Sequence, residues 1–404
     1  MKKYLIYSTV FSVFSEILTI TVGIDLKLFY LIVLINLPLI LIYKGFENLF
    51  IEAWHFIIIC FFVLSGILSI WVFKTNIFSA WIEQFVGITL CSYFYYQFFT
   101  LFKTKEELNE IFKLYADIVF VLIVIGFFIY PFDKYNVNDE SQRFRTIFSE
   151  PAHFATVCMP AFFYFINGKN WYKIIITTIA MLLTISSVAF IGLLLCLLLR
   201  FKFSVVKFFA TFSAAIIFSI ILYNTVPEFR LRLDDSSKSF KSSSLEKVNL
   251  STYVFFSNVF VVQKVFQQSP ILGNGLGSHY ISREKYVGKI EGVEGFEQYL
   301  GLNYKDANSL FLRIVSDMGI VGVLFVLFFL AKNYVSGSSI DNIMCKGILV
   351  YLLLKLFREG HYFSVEMYFF VLLYFINKKF IIEANEPLVH FGYKEKKLTE
   401  YTCR

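Results

Sequence analysis

Long apolar runs recur along this chain from Tyr4 to Phe380, separated by shorter polar segments. Each run has about the length that a helix needs to cross a bilayer, roughly 20 residues. A β-barrel would show short segments of alternating polarity instead. The pattern therefore predicts an all-α polytopic membrane protein, with candidate spans at residues 4–22, 26–43, 54–73, 77–101, 111–131, 151–167, 173–200, 204–223, 308–331, 343–357 and 361–377.

The run 173–200 decides between eleven and twelve transmembrane helices. A single helix of this length would extend about 42 Å, which exceeds a hydrocarbon core about 30 Å thick. The centre of the run, TISS at 184–187, is polar. A break there predicts two short helices and about 12 in total, whereas an unbroken helix gives 11.

The distribution of basic residues favours twelve helices. With both termini in the cytoplasm, this count places most lysines in cytoplasmic loops, as the positive-inside rule expects. It also places 132–150 and 224–307 on the outer side together. We therefore expect an N-terminal transmembrane bundle at 1–223, a large periplasmic or extracytoplasmic loop at 224–307 with an amphipathic helix at 250–266, C-terminal transmembrane helices at 308–380 and a cytoplasmic tail at 381–404.

The composition is that of a membrane protein. Hydrophobic residues make up 57% of the 404 residues and charged residues only 17%, against about 25% charged in a soluble domain. The placement of charge matters more here than the net charge of +7, and no nucleic-acid partner is expected. The six cysteines form no CxxC pair, so neither a disulfide framework nor a metal site is expected.

The first concentration of polar groups lies where the loop 132–150 enters a predicted helix. Ser149 is expected to be the N-cap residue, and Pro151 is tolerated in the first turn. Glu150 and His153, three residues apart, would then stand on one face at the mouth of the helix.

Arg143 and Arg145 precede this helix. Arginine suits a phosphate because its planar fork donates two hydrogen bonds at once. An interfacial anchor, with arginines near lipid headgroups and a capped helix, explains the same residues equally well. The spacing alone leaves both interpretations open.

A second polar stretch runs from Asp306 into the next predicted helix. On a helix, offsets of seven and eleven residues would keep Asp306, Arg313 and Asp317 within about 40° of each other. Such charges are costly in lipid and must face protein or water. A structural ion pair between Arg313 and Asp317 is the alternative, while Asp306 at the mouth is a candidate base.

A third group lies at the turn between the last two helices: Lys355, Arg358, Glu359, His361 and, further on, Glu366. A solvated turn explains Arg358 and Glu359, and snorkelling could serve Lys355. This group therefore ranks below the other two.

A glycine-rich segment, GNGLG at 273–277, lies in the large outer loop. It follows no predicted strand and opens no βαβ unit, so a tight turn is expected rather than a dinucleotide site. His279 beside it lacks metal-ligand spacing.

Four segments and the general layout resemble the bacterial O-antigen polymerase family (Wzy) and, more distantly, the O-antigen ligases. The segments are RFRTIFSEPAHFA at 143–155, TISSVAFIGL at 184–193, SPILGNGLGSHY at 269–280 and ANSLFLRIVSDMGIVG at 307–322. The ligases carry His where this chain has Ala307, and Arg where it has Ser187 or Val188. A histidine base at position 307 is therefore excluded, which weakens the ligase assignment.

The resemblance implies a GT-C-like, inverting, metal-independent glycosyltransferase of the bacterial inner membrane that needs no cofactor. Its substrates would be undecaprenyl-diphosphate-linked oligosaccharide repeat units. The growing glycan would pass from its lipid diphosphate to a new lipid-linked unit at the outer face, with a chain-length regulator as a candidate partner. A flippase is the alternative from another class, but polar groups gathered at one face beneath an 84-residue loop favour an enzyme.

This chemistry gives the charged residues two expected roles. The departing diphosphate needs fixed cations, and the acceptor hydroxyl needs a base, for which Glu150, Asp306 and His153 are the candidates in that order. The candidate diphosphate-binding residues are Arg143, Arg145, Arg230, Arg232, Arg283, Asn308 and Arg313.

Overall fold

The computed structural model describes most of the chain, in several separate ranges. These ranges are residues 1–15, 18–21, 25–45, 60–67, 70–71, 78–132, 143–200, 250–290, 304–336 and 340–385, together with single positions between 213 and 237. Within them the chain is almost entirely helical.

Twelve α-helices have both ends within the described ranges. They are α1 (Lys2–Ser12), α2 (Leu28–Tyr43), α3 (Phe78–Phe99), α4 (Lys105–Ile129), α5 (Pro151–Gly168), α6 (Trp171–Leu183), α7 (Ser187–Arg200), α8 (Leu250–Gln268), α9 (His279–Tyr286), α10 (Leu310–Lys332), α11 (Ile340–Phe357) and α12 (Val365–Asn385). Short 3-10 turns follow α4 and α9, at Tyr130–Phe132 and Val287–Lys289. Two three-residue strands, β1 (Thr19–Thr21) and β2 (Asp25–Lys27), pair antiparallel.

The polar break predicted within 173–200 is present. α6 ends at Leu183 and α7 begins at Ser187. The hydroxyl of Thr184 donates to the carbonyl of Met181 and accepts from the Ser186 N–H, so local side-chain bonds replace helical ones at this point. The two helices have 13 and 14 residues, which makes each about 20 Å long.

The first predicted span, 4–22, is wrong in length. α1 ends at Ser12, and β1 begins at Thr19. The hydroxyls of Ser12 and Ser15 donate to the carbonyl oxygens of Thr9 and Ser12, which offers the backbone a local alternative to helix. An apolar run of spanning length therefore does not form one helix here.

Two helices within the described ranges, α4 and α10, are by length and composition able to cross a membrane. α2, α6 and α7 are apolar but shorter. Half of the predicted span 54–73 and most of 204–223 lie outside the described residues.

α5 lies at the centre of the bundle, against α4, α6, α7 and α11. Glycines allow the closest approaches: a Cβ on Gly347 of α11 would lie 3.1 Å from the Pro160 carbonyl oxygen, and one on Gly192 of α7 would lie 2.8 Å from Met159. Small residues at helix contacts let backbones approach closely. This packing brings the start of α5 to the end of α11.

Polar contacts distinguish the two ends of the bundle. Lys2 pairs with Glu107 at 2.6 Å, and Lys105 pairs with Asp341 at 2.7 Å. The starts of α1, α4 and α11 therefore meet at one end. The start of α5, the end of α11 and the start of α12 meet at the other, which we call the Glu150 end.

α10 is kinked at Gly319, whose φ is 59° and ψ −152°. The N–H groups of Asn274 and Gly275 in the glycine-rich loop donate to the carbonyls of Ser316 and Asp317 at 2.9 and 2.7 Å. A Cβ at Gly319 would lie 2.5 Å from the backbone of this loop. The predicted tight turn is thus present, and it docks on carbonyls of the kinked part of α10.

The predicted amphipathic helix 250–266 corresponds to α8, Leu250–Gln268. Its apolar face packs on α10 and on the turn before it, since Val262 clusters with Ala307 and Leu312. α8 therefore covers the Glu150 end of α10.

Candidate functional site

α5 begins with a cap that differs from the predicted one. The N-cap residue is Glu150 rather than Ser149, and Pro151 takes the first helical position as expected. Glu150 precedes the helix in extended conformation and is exposed, whereas His153 is buried. The expectation that Glu150 and His153 share one helix face is therefore wrong, because only His153 lies on the helix.

Arg143 spans the break between α6 and α7. Its Nε donates to the Thr184 carbonyl at 3.0 Å, and its Nη2 donates to the Ile185 carbonyl at 3.3 Å. A cation there also compensates the negative end of the α6 dipole. Arg145 donates to the Ser149 carbonyl at 3.2 Å. Arg143 thus fastens the loop to the break, a role that its sequence position did not suggest.

Asp306 lies in the turn before α10 and not on the helix. Ser309 is the N-cap residue of α10. The Asp306 carboxylate accepts from the Asn308 N–H at 3.0 Å, as in an Asx turn. Its other oxygen lies 3.1 Å from Nε2 of His361. The prediction that Asp306 shares a helix face with Arg313 and Asp317 is therefore wrong, because Asp306 precedes the helix.

Arg313 and Asp317 form the ion pair that was the structural alternative, with Nε 3.6 Å from Oδ2. Both side chains are buried. Arg313 also donates to the Gly360 carbonyl at 2.8 Å and lies 4.3 Å from the ring centroid of Tyr362. Asp317 accepts from the Gly277 N–H at 3.1 Å. These contacts link α10 to the turn between α11 and α12 and to the glycine-rich loop.

Arg283 is inside the outer loop, only 1% exposed. Its Nη1 donates to Ser257 Oγ and to Asn258 Oδ1 at 3.1 and 2.8 Å. His279 Nε2 lies 3.0 Å from the same amide oxygen. Burial, followed by the positive charges of Arg313 and Arg283, lowers the pKa of His279 to about 3. Arg283 and His279 therefore hold α9 against α8.

The remaining candidates are scattered. Asn308 is buried beside Asp306 with a φ of 55°. Arg230 is exposed, and Arg232 lies outside the described residues. Of the seven candidate diphosphate ligands, Arg143, Arg145 and Asn308 lie in the segments that meet at the Glu150 end.

The densest polar cluster is the one that the sequence ranked lowest. Lys355 Nζ lies 2.6 Å from Glu359 Oε2 and 3.0 Å from Glu366 Oε1. His153 Nε2 lies 3.4 Å from the same Glu366 oxygen and 4.0 Å from Glu359 Oε2. The Tyr351 hydroxyl donates to Glu366 at 3.0 Å. We call these five residues the buried network.

Three helix ends position the buried network. Lys355 is in the last turn of α11, where a cation is favoured, and Glu366 is in the first turn of α12, where an anion is favoured. His153 joins them from the first turn of α5. Buried ionisable groups are costly unless they pair with each other in this way.

The ligand atoms of His153, Glu359 and Glu366 lie within 4.8 Å of one another, a spacing compatible with a metal ion. Lys355 already places its ammonium group against both carboxylates. A second cation at this position would be repelled in a medium of low polarity. The chemistry of the donor set therefore favours an ion-pair network over a metal centre.

Arg358 connects the buried network to the other two polar stretches. Burial lowers its pKa, and the carboxylates of Glu150, Glu359 and Asp306 act in the opposite direction. The charge of Arg143 adds to the lowering. Within the described ranges, the Arg358 side chain forms no hydrogen bond or ion pair. One guanidinium thus interacts electrostatically with its neighbour Glu359 and with acids from two distant parts of the chain.

A comparison of the sequence with protein-family models finds no match, and a comparison with curated proteins finds none either. The function must therefore be inferred from the geometry and chemistry of the site itself.

Proposed function

We propose that this chain is a membrane glycosyltransferase that transfers a growing glycan from undecaprenyl diphosphate to a new lipid-linked repeat unit. The observation that carries the proposal is the meeting of residues 143–150, 304–308 and 358–361 around Arg358. Two of these segments overlap stretches that resemble the O-antigen polymerases, 143–155 and 307–322. Cations and carboxylates from distant parts of the chain come together where those stretches meet.

The proposed setting is the bacterial inner membrane, with about twelve spans and both termini in the cytoplasm. Two helices of spanning character, α4 and α10, support it. The ion pairs of Lys2 and Lys105 lie at one end of the bundle, while 143–150 and the glycine-rich loop lie at the other. This separation agrees with the positive-inside rule applied to twelve helices.

The chemistry requires cations fixed near the departing diphosphate. Arg358 offers a guanidinium that forms no side-chain hydrogen bond within the described ranges, and Arg145 lies in the adjoining segment. Because the leaving group already carries its charge, such fixed cations matter more than a strong acid. Protein cations can therefore stabilise the bond-breaking step.

The acceptor hydroxyl needs a carboxylate or imidazole within hydrogen-bond reach. The three sequence candidates have different surroundings: Glu150 is exposed, Asp306 is paired with His361, and His153 faces Glu366. All three lie at the Glu150 end, close to the proposed diphosphate position.

The experiment measures polymerisation by the purified protein in proteoliposomes. The proteoliposomes are supplied with lipid-linked repeat units extracted from the cells that produce the protein. We expect a ladder of polymers from wild type and a strongly reduced ladder from Arg358→Gln. Arg200→Gln is the matched control, because Arg200 is exposed at the far end of α7. Transport of labelled lipid-linked sugar across the bilayer without any ladder would contradict the proposal and favour a flippase.

A further inference from the structure

Glu359 uses its two carboxylate oxygens differently. Oε2 accepts from Lys355 at 2.6 Å, whereas Oε1 is buried and has no hydrogen-bond partner in the described part of the chain. A buried acceptor without a partner is destabilising, and in a native structure it demands an explanation. A ligand that donates a hydrogen bond to Oε1 provides one.

The other carboxylates that face Arg358 do not share this property. Glu150 is exposed to solvent. Asp306 accepts from the Asn308 N–H and pairs with His361. Glu359 alone among these three combines a held oxygen with a buried, open one. In the buried network, Glu366 Oε2 is also buried without a hydrogen-bond partner among the described residues. The Glu366 side chain is 0% exposed and that of Glu359 13%, so Glu359 is the one of the two that a substrate can reach.

The backbone at Glu359 is fixed from both sides. Its φ of 67° is unusual for a residue with a side chain. A Cβ on the following residue, Gly360, would overlap the Asp306 carbonyl group, and the Gly360 carbonyl accepts from Arg313 at 2.8 Å. Strained backbone of this kind persists only where the surroundings enforce it, and it clusters at functional sites.

We propose that Glu359 is the catalytic base of the transfer and that Lys355, Glu366 and His153 position it. The assignment rests on the proposed function. Oε1 accepts the proton of the acceptor hydroxyl while the hydroxyl oxygen bonds to the anomeric carbon of the donor. The bond from that carbon to the diphosphate breaks, and the lipid diphosphate leaves with the electron pair. The proton on Glu359 is then released to water.

The groups around Glu359 suit this role. Lys355 donates to Oε2 at 2.6 Å and holds the carboxylate in place, and Glu366 holds Lys355 at 3.0 Å. His153 approaches Glu359 from α5, and Arg358 from the same turn lies close enough to interact with it. Proton acceptance and the binding of the departing anion are thereby placed side by side.

The first test is Glu359→Gln in proteoliposomes supplied with the extracted repeat units. The amide keeps the shape and loses the basicity, so we expect the extension rate to fall by about 10²- to 10⁴-fold. Binding of undecaprenyl diphosphate should stay within about twofold of wild type, since the amide leaves Arg358 in place. Glu284→Gln, a change at an exposed glutamate of α9, is the matched control and should extend normally.

The second test separates a base from a structural residue. Removing a general base slows the chemical step with little change in substrate binding, so kcat of Glu359→Gln should fall while KM for the repeat unit stays near wild type. Glu359→Asp should recover part of the rate. If Glu359→Gln is unfolded, Glu359→Asp decides: its carboxylate is drawn back by one methylene, so a wild-type kcat in folded Glu359→Asp overturns the assignment.

The outcomes distinguish this assignment from the proposed function. A wild-type protein that extends no repeat units overturns the glycosyltransferase proposal and the assignment with it. Wild-type extension by folded Glu359→Gln overturns the assignment alone and returns the role of base to Glu150 or Asp306.

Discussion

Lys355 and Glu366 form a 3.0 Å ion pair across the turn between consecutive helices. Their side chains are 1% and 0% exposed. Removing one partner from a buried pair leaves an uncompensated charge, which destabilises a protein by about 3–5 kcal/mol. The pair therefore stabilises the Glu150 end of the bundle, where the proposed site lies.

The buried pair should behave non-additively. Lys355→Met alone should lower the free energy of unfolding by about 3–5 kcal/mol, while Lys355→Met with Glu366→Met should recover most of that loss. Denaturant unfolding in detergent measures both. As a control, Lys105→Met at the partly exposed pair with Asp341 should have a smaller effect, about 1 kcal/mol. Equal losses in the single and double variants would contradict the pairing.

Arg143 should contribute to stability more than to chemistry. Arg143→Ala removes two hydrogen bonds to the carbonyls that end α6, so we expect a loss of about 1–3 kcal/mol in the free energy of unfolding. Arg143→Lys should recover part of it through the retained charge at the helix end. The loop 143–150 should also become more sensitive to protease. An unchanged stability in Arg143→Ala would show that these bonds are dispensable.

Arg145 should show the opposite behaviour. Arg145→Lys keeps the charge and loses the two-pronged geometry that suits a phosphate, so polymerisation should fall strongly while protein levels and thermal stability stay near wild type. Polymer ladders from single lipid-linked repeat units report the activity. Full activity in Arg145→Ala would remove this residue from the site.

His279 predicts a specific acid sensitivity. Burial lowers its pKa in the folded protein to about 3, from about 6.5 in an unfolded chain. The unfolded state therefore binds the proton first, and stability falls by about 1.4 kcal/mol per pH unit as pH decreases from about 6.5 toward 3. His279→Gln should flatten this dependence in unfolding measured across that range. A slope that is identical in both proteins would contradict the burial of a neutral His279.

Membrane topology can be tested independently of activity. In a background without the six native cysteines, a cysteine at position 243 should react with an impermeant thiol reagent added from outside, and a cysteine at position 396 should not. Both positions lie outside the described ranges, so the sequence alone makes this prediction. Labelling of both from the same side would contradict twelve spans.

The pattern of apolar runs predicted where helices lie, but the ends of the helices also depend on local side-chain hydrogen bonds. The run 173–200 divides at its polar centre because Thr184 supplies alternative hydrogen bonds. The run 4–22 was misjudged because Ser12 and Ser15 do the same within a segment that is apolar on average. Hydrophobicity does not reveal such local competition for backbone bonds.

The site was predictable only in pieces. Lys355 and Glu359 are four residues apart, and Glu366 falls in a predicted span, which was the available signal. Their contact with His153, from a helix far away in the chain, depends on the packing of α5 on α11. Asp306 was assigned to a helix face because its spacing from Arg313 and Asp317 fits one. The N-cap residue of that helix is Ser309, three residues later.

The contact between the glycine-rich loop and the kink of α10 has a mechanical consequence. The Gly277 N–H donates to Asp317, Asp317 pairs with Arg313, and Arg313 donates to the Gly360 carbonyl. The glycine-rich loop, α10 and the turn between α11 and α12 are therefore joined in series by two hydrogen bonds and one ion pair. Displacing the glycine-rich loop would pull on the backbone beside Glu359. Strain applied to the loop would therefore reach that carboxylate through these three contacts.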